Sequence, residues 1–228
     1  MQFAPLYPLL HKILKPTFPN CLWSGRSDSP TIALTFDDGP HPLHTLQLLK
    51  VLDRHQIQAS FFWLGVQVER YPDIAREVWQ RGHWVGLHGY HHYSFPRLSA
   101  VDLKQSLLQT QAAIAQACQL DPAYVQAYIR DVRPPNGIFT PQTLQCLKEW
   151  QYRPVMWSIV PEDWVRPGIN IVRQRVLTQA QNGSVIVLHD GYFGGEDVAE
   201  TADRLIPTLQ ERGYDYVTID RLWQQLQK

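Results

Sequence analysis

Two adjacent carboxylates stand at the exit of an apolar, β-branched run: Thr31-Ile32-Ala33-Leu34-Thr35-Phe36-Asp37-Asp38-Gly39-Pro40. The run has the composition of a buried strand, and Gly-Pro ends it in a loop. Side chains alternate in direction along an extended chain, so Asp37 and Asp38 point apart unless the turn rotates them. That divergence suits a division of labour, one acid on a metal ion and the other free for proton transfer. The same letters also spell an ordinary turn whose acids cap the next helix.

Further along, Leu87-His88-Gly89-Tyr90-His91-His92 sets His88 and His92 four residues apart. On a helical turn or a tight loop, that spacing can present two imidazoles to one ion. With Asp38 they make a two-His, one-carboxylate set, which leaves coordination positions open for water and substrate as a catalytic zinc requires. A His-rich surface turn is the alternative, since His83 and His91 lie close by in the chain. Arg133 follows a strand-like run and, beside the acidic turn, would pair with Asp37 and favour its ionised form. Asp163 beside His189 would act in the opposite sense and favour the imidazolium. Such a split between two groups assigns one as base and the other as acid.

These residues need elements to carry them. Apolar spacing predicts helices over residues 45–55, 72–81, 99–118, 141–150, 171–180, 202–212 and 221–226, with strands at 31–36, 59–64, 83–87, 124–130, 154–159, 184–188 and 216–219. Ser99 caps the longest helix, with Asp102 three residues on. Strands and helices alternate without a linker or an internal repeat, the pattern of a parallel sheet covered by helices, as a barrel or as an open doubly wound sheet. Asp37-Asp38, His88-His92, Arg133, Asp163 and His189 each follow a strand. In a parallel barrel such positions meet at one rim.

The composition narrows the partners. A chain of 228 residues with 44% hydrophobic content can bury the core of a single α/β domain. Lys plus Arg equals Asp plus Glu at 21 each, and no basic run points to nucleic acid. Cys21, Cys118 and Cys146 lack disulfide or zinc-knuckle spacing and are expected to be reduced packing residues. The first 19 residues are interrupted by Pro5, Pro8, Pro16 and Pro19, too short and broken to span a bilayer and poor as a signal peptide. Leu9 to Leu14 could form a short peripheral helix, but packing against the domain is expected there, within an extension (1–29) packed on the main domain (30–228). The expected location is cytoplasmic or peripherally associated with the envelope.

In their order along the chain, Thr35 to Pro40, His88 to His92, Arg133 to Gly137, Asp163-Trp164 and Leu188-His189 resemble the five motifs of the polysaccharide deacetylases of carbohydrate esterase family four. The resemblance implies a distorted (β/α) barrel of the TIM-like type and metal-dependent hydrolysis of an acetyl amide or ester on a carbohydrate. It further implies that Asp38, His88 and His92 hold one divalent ion, usually zinc, with cobalt or nickel serving in relatives. Asp37 then takes a proton from the water held by that ion, and His189 protonates the leaving group. Arg133 orients Asp37, and Asp163 orients His189. A backbone N–H at Asn136, beside Pro135, helps to hold the oxyanion. Leu188 and Trp157 border the acetyl methyl group, and Trp164 supports Asp163 and the groove wall. Gly89, Asn136 and Val160 depart from the family's usual residues, at positions that bear on substrate preference.

Three other readings share these residues. Relatives of the barrel hydrolyse small amides or imides, which a compact closed site would favour. An inactive carbohydrate-binding relative would have no need of both Asp37 and His189. A non-haem iron oxygenase also uses two His and one carboxylate, on a sheet architecture that fits alternating strands and helices poorly.

Overall fold

The structure is a computed structural model that describes residues 4–227; the expected domain limits at Met1 and Lys228 lie outside the described residues. Strand β1 (Thr31–Asp37) is buried along its whole length. It pairs in parallel with β2 (Ser60–Trp63) on one side and with β6 (Val185–His189) on the other. Outward from β2 follow β3 (Trp84–Leu87), β4 (Asp131–Val132) and β5 (Arg153–Pro154), all parallel. A last strand, β7 (Asp215–Tyr216), pairs with the first residues of β1.

Beyond β5 the chain bends back over the open side of the sheet. Val155 bridges Leu22 and Ile159 bridges Ile186, with Val187 N–H donating to Ile159 O at 3.1 Å. That bend completes a distorted barrel. It also shortens the strand expected over 154–159, because only Arg153 and Pro154 keep regular pairing.

Alternation along the strands divides the apolar residues between two cores. Ile32, Leu34, Phe36, Phe61, Trp63, Val85, Leu87, Ile186 and Leu188 pack outward against helices α2 (His44–Arg54), α3 (Gly65–Arg70), α4 (Pro72–Gln80), α5 (Ala100–Cys118), α8 (Ile169–Gln179) and α9 (Val198–Glu211). Ala33, Phe62, Val155, Met156, Trp157, Val185 and Val187 pack inward. Ile219 and Leu222 of the last helix (Ile219–Leu226) join this inner core together with Trp23 and the first helix α1 (Tyr7–Thr17). Both faces of the strands are therefore buried, which is why they read as near-continuous apolar runs.

Other elements differ from expectation as well: β4 comes after the run expected as a strand, and the strand expected over 216–219 is only Asp215–Tyr216, with Ile219 opening the last helix. The run expected as a strand over 124–130 is α6 (Pro122–Tyr128). Asp121 caps it by accepting from the Ala123 and Tyr124 N–H groups, and Pro122 opens it, so the start signal outweighs the β-preference of Tyr124, Val125 and Tyr128. Helix α3, with no counterpart in the sequence reading, turns the chain directly after β2. Among the described residues Cys21, Cys118 and Cys146 are free thiols, and no helix is long and apolar enough to cross a membrane.

Candidate active site

The strand ends deliver their polar residues to one cleft of about 690 Å³, whose walls include Asp37, Asp38, His88, His92, Arg133 and His189. Asp37 ends β1 on its inward face. Asp38 follows with a φ of 74°, a left-handed turn that brings the second carboxylate into the same cleft instead of letting it diverge. Gly39, next in line, packs so tightly that a Cβ there would lie 2.5 Å from Asp190 Oδ2. The tip of the acidic turn therefore admits no side chain.

Arg133 is buried inside the barrel and pairs with Asp37. Nη1 donates to Asp37 Oδ1 at 2.6 Å and to Thr35 Oγ1 at 2.8 Å, and Nη2 donates to Met156 O at 3.1 Å. Its guanidinium lies 4.0 Å from the centre of the Phe62 ring. These contacts fix the orientation of Asp37 from below.

Across the cleft, Asp163 grips His189 twice. The imidazole Nδ1 donates to Oδ1 at 2.9 Å and the His189 backbone N–H donates to Oδ2 at 2.7 Å. Trp164 packs edge-on against the imidazole, ring centres 5.1 Å apart. Burial disfavours the imidazolium, but the charge and hydrogen bond of Asp163, with Asp38 and Asp37 nearby, outweigh it and raise the His189 pKa to about 10. At neutral pH the ring carries a proton on Nε2, the nitrogen left for the cleft.

Between these two pairs lies the third group. Asp38 Oδ1 stands 3.5 Å from His88 Nε2 and 3.4 Å from His92 Nε2, and the three donor atoms lie within 4.8 Å of one another. His88 and His92 sit on a loop, not a helix. Gly89 between them has a φ of +83°, a conformation that disfavours side chains and accounts for glycine there. His88 Nδ1–H donates to Arg133 O at 2.7 Å, which leaves Nε2 as the nitrogen with the lone pair. Burial holds the His88 pKa below its ordinary value. Asp38 Oδ1 is buried and has no hydrogen-bond partner among the described residues. A neutral imidazole, an orphaned carboxylate oxygen and a second imidazole form a donor set suited to a divalent cation.

Residues 24–155 match the family model described as polysaccharide deacetylase. The chain belongs to the polysaccharide deacetylase family. It is similar to a chitooligosaccharide deacetylase of Bradyrhizobium, 33% identical over 86% of this chain and 92% of the relative. It is also similar to a peptidoglycan-N-acetylglucosamine deacetylase of Bacillus cereus, 31% identical over 94% and 97%. Among solved structures, a peptidoglycan N-acetylglucosamine deacetylase in complex with 4-naphthalen-1-yl-N-oxidanyl-benzamide superposes with a TM-score of 0.82. It is 26% identical over 89% of this chain and 92% of that one. The protein is thus a carbohydrate deacetylase, a hydrolase on an α/β barrel.

Of the residues expected to touch substrate in such a family member, Asn136, Trp157 and Trp164 line the cleft, whereas Pro135 and Leu188 do not. Leu188 packs among the helices because it sits one residue off the inward register of β6; Val187 is the side chain that reaches the cleft. Pro135 is buried and Pro134 takes its position on the wall. Asn136 adopts φ 60°, ψ 9°, and its side-chain amide donates to Ser94 Oγ at 3.1 Å, tying this turn to the histidine loop.

Several residues at the rim had escaped the sequence reading. Asp190 is fully buried; its backbone N–H donates to Asp37 O at 3.2 Å, and its Oδ2 accepts from Thr45 Oγ1 at 2.5 Å. Burial first, then Asp38 and Asp37, raise its pKa to about 7, against the Thr45 hydrogen bond. Tyr192 stands edge-on to His41 at 4.6 Å and shares a 2.8 Å hydrogen bond with Tyr71, while Phe193 beside it lines the cleft largely exposed. The signal that could have found Asp190 was a charged residue directly following His189 at the end of a buried strand.

Proposed function

We propose that the protein is a metal-dependent deacetylase of N-acetylated glucosamine units, with Asp37 as base and His189 as acid. One observation carries this reading: Asp38 Oδ1, without a hydrogen-bond partner among the described residues, faces two imidazole nitrogens in the same cleft as an arginine-held carboxylate and an aspartate-held imidazole. A divalent ion, zinc or else cobalt or nickel, bound by Asp38, His88 and His92 supplies Lewis acidity toward the acetyl carbonyl and toward water.

The chain's own residues do the rest. Asp37, held by Arg133, accepts a proton from the attacking water. His189, held charged by Asp163, gives its Nε2 proton to the amine nitrogen as the C–N bond breaks, so acetate and a free amine result. Val187, Val160 and Trp157 form an apolar wall suited to the acetyl methyl group, and the Asn136 backbone N–H is a candidate donor to the oxyanion. The names of the relatives support an N-acetylglucosamine polymer as substrate. The exposed Tyr192 and Phe193 at the rim favour a sugar chain over a small amide, because open aromatic faces suit pyranose rings.

The test is acetate release from chitooligosaccharides, peptidoglycan fragments, acetylxylan and small amides, before and after chelation. The expected result is turnover of an N-acetylated sugar, lost on chelation and restored by zinc or cobalt. Turnover indifferent to chelator would remove the ion from the mechanism, and turnover of small amides alone would move the substrate.

A further inference from the structure

We infer that helix α1 docks the protein on an anionic lipid surface. Leu6, Leu9, Leu10 and Ile13 are 51%, 57%, 42% and 54% exposed. Their spacing of three, four and seven residues puts them on one face of the helix. The opposite face is anchored. Tyr7 packs edge-on to Trp157 at 5.4 Å and His11 to Trp23 at 6.1 Å, with Leu14 and Phe18 against the same inner core. The apolar stripe is therefore held outward on a fixed helix, with nothing among the described residues to cover it.

The charge of the helix identifies the occupant. Lys12 is exposed on its flank, Lys15 turns back to the domain and donates to Ser24 Oγ at 2.6 Å, and the segment YPLLHKILKPT has no acidic residue, in a chain whose net charge is zero. Leucine and isoleucine over one face, with a lysine beside them and no acid on the helix, is the pattern of a helix lying in the headgroup layer, where Lys12 reaches the phosphates. Eleven residues are too few to span a bilayer. A second copy is a poorer occupant, since two-fold pairing would set this same lysine-flanked patch against itself with no acid to answer it. Tyr7 also lines the cleft, so docking brings the cleft beside the bilayer. The inference does not rest on the reaction proposed above.

The full chain is sedimented with vesicles of phosphatidylcholine alone and of phosphatidylcholine with an equal part of phosphatidylglycerol. Binding is expected only to the anionic vesicles and is weakened by salt. The triple variant Leu9→Gln, Leu10→Gln, Ile13→Gln should lose at least tenfold in partitioning. A second variant, Lys12→Glu, leaves the apolar stripe whole and should lose about fivefold. Unchanged melting temperatures show that both variants fold. No binding by the wild type, equal binding to neutral vesicles, or binding untouched by either variant overturns the inference. So does a stable dimer by light scattering that the triple variant dissolves, which would make the stripe a self-association surface.

Discussion

The barrel buries carboxylates at both ends and treats them differently. At the base, where the strands begin, Asp131 is fully buried and saturated. It accepts from Trp84 Nε1 at 2.7 Å and from Trp223 Nε1 at 2.9 Å, and it pairs with Arg153 at 2.9 Å. Burial pushes its pKa up, and Arg153 and the two indoles act against that rise. At the rim, where the strands end, Asp190 is equally buried but keeps Oδ1 without a partner among the described residues, as does Asp38. Here the neighbouring charges are other carboxylates, which add to the effect of burial. The same residue type closes the fold at one end and concentrates uncompensated negative charge at the other. Arg133 and His189 answer part of that charge. What is left over suits a cation.

If the rim is built for chemistry and the base for stability, the two ends should fail in different ways. The largest expected effect is that of Asp37→Asn, which keeps the shape and removes the carboxylate proposed as proton acceptor. Turnover should fall about 10³-fold with zinc content, measured on the purified protein, unchanged. Surviving turnover would mean that the base is misassigned. Next is Asp131→Ala, which strands two indole N–H groups and Arg153. Unfolding free energy in urea should fall by about 3 kcal/mol, while turnover per folded molecule is preserved. Were turnover to fall with stability intact, the division between the ends would not hold.

Much of this was legible in the letters, because the signals were strong and local. A buried β-branched run ending in Asp-Asp-Gly-Pro and the His88 to His92 spacing need no long-range information to be noticed. The pairing of Arg133 with Asp37 and of Asp163 with His189 followed once each was assigned to a strand end. What stayed hidden depended on register and on distant contacts. Leu188 and Val187 differ only in which way β6 turns them, and a one-residue error in register exchanges the core for the cleft. Asp190 acquires its environment from Thr45, 145 residues earlier, a contact that no pattern within a window records. Helix α6 differs for another reason: its start signal, Asp121-Pro122, is local, but the Tyr124, Val125 and Tyr128 that follow it have the composition of a strand.

Smaller effects test the rim directly. Asp190→Asn removes a carboxyl whose pKa in the fold, about 7, lies above the 3.8 of the ordinary group. A raised value means that the folded chain holds the proton longer than the unfolded one. Native stability is therefore full below about pH 4, declines as pH rises toward 7, and stays reduced above that. In the metal-free protein the Asn variant should be more stable than wild type by up to about 4 kcal/mol at pH 7, with the gain vanishing near pH 4. A gain that persists at pH 4 would point to packing and not to charge.

The smallest change concerns the alkaline side of the pH–rate profile. His189 carries its proton up to about pH 10 because Asp163 outweighs burial, so acid catalysis should persist through neutral pH and fail as pH rises through that value. The same protonation stabilises the fold below the ordinary histidine pKa and is lost as pH climbs toward 10. A divalent cation held beside Asp38 would offset part of the carboxylate field and lower the limb, with the hydrogen-bonded Asp163 remaining the larger influence on His189. Asp163→Asn should move the alkaline limb of kcat/KM to lower pH and cost about tenfold in turnover at pH 8, with activity partly regained in acid. An alkaline limb that does not move would separate Asp163 from the proton on His189 and leave it, like Asp131 at the base, a residue that only holds structure in place.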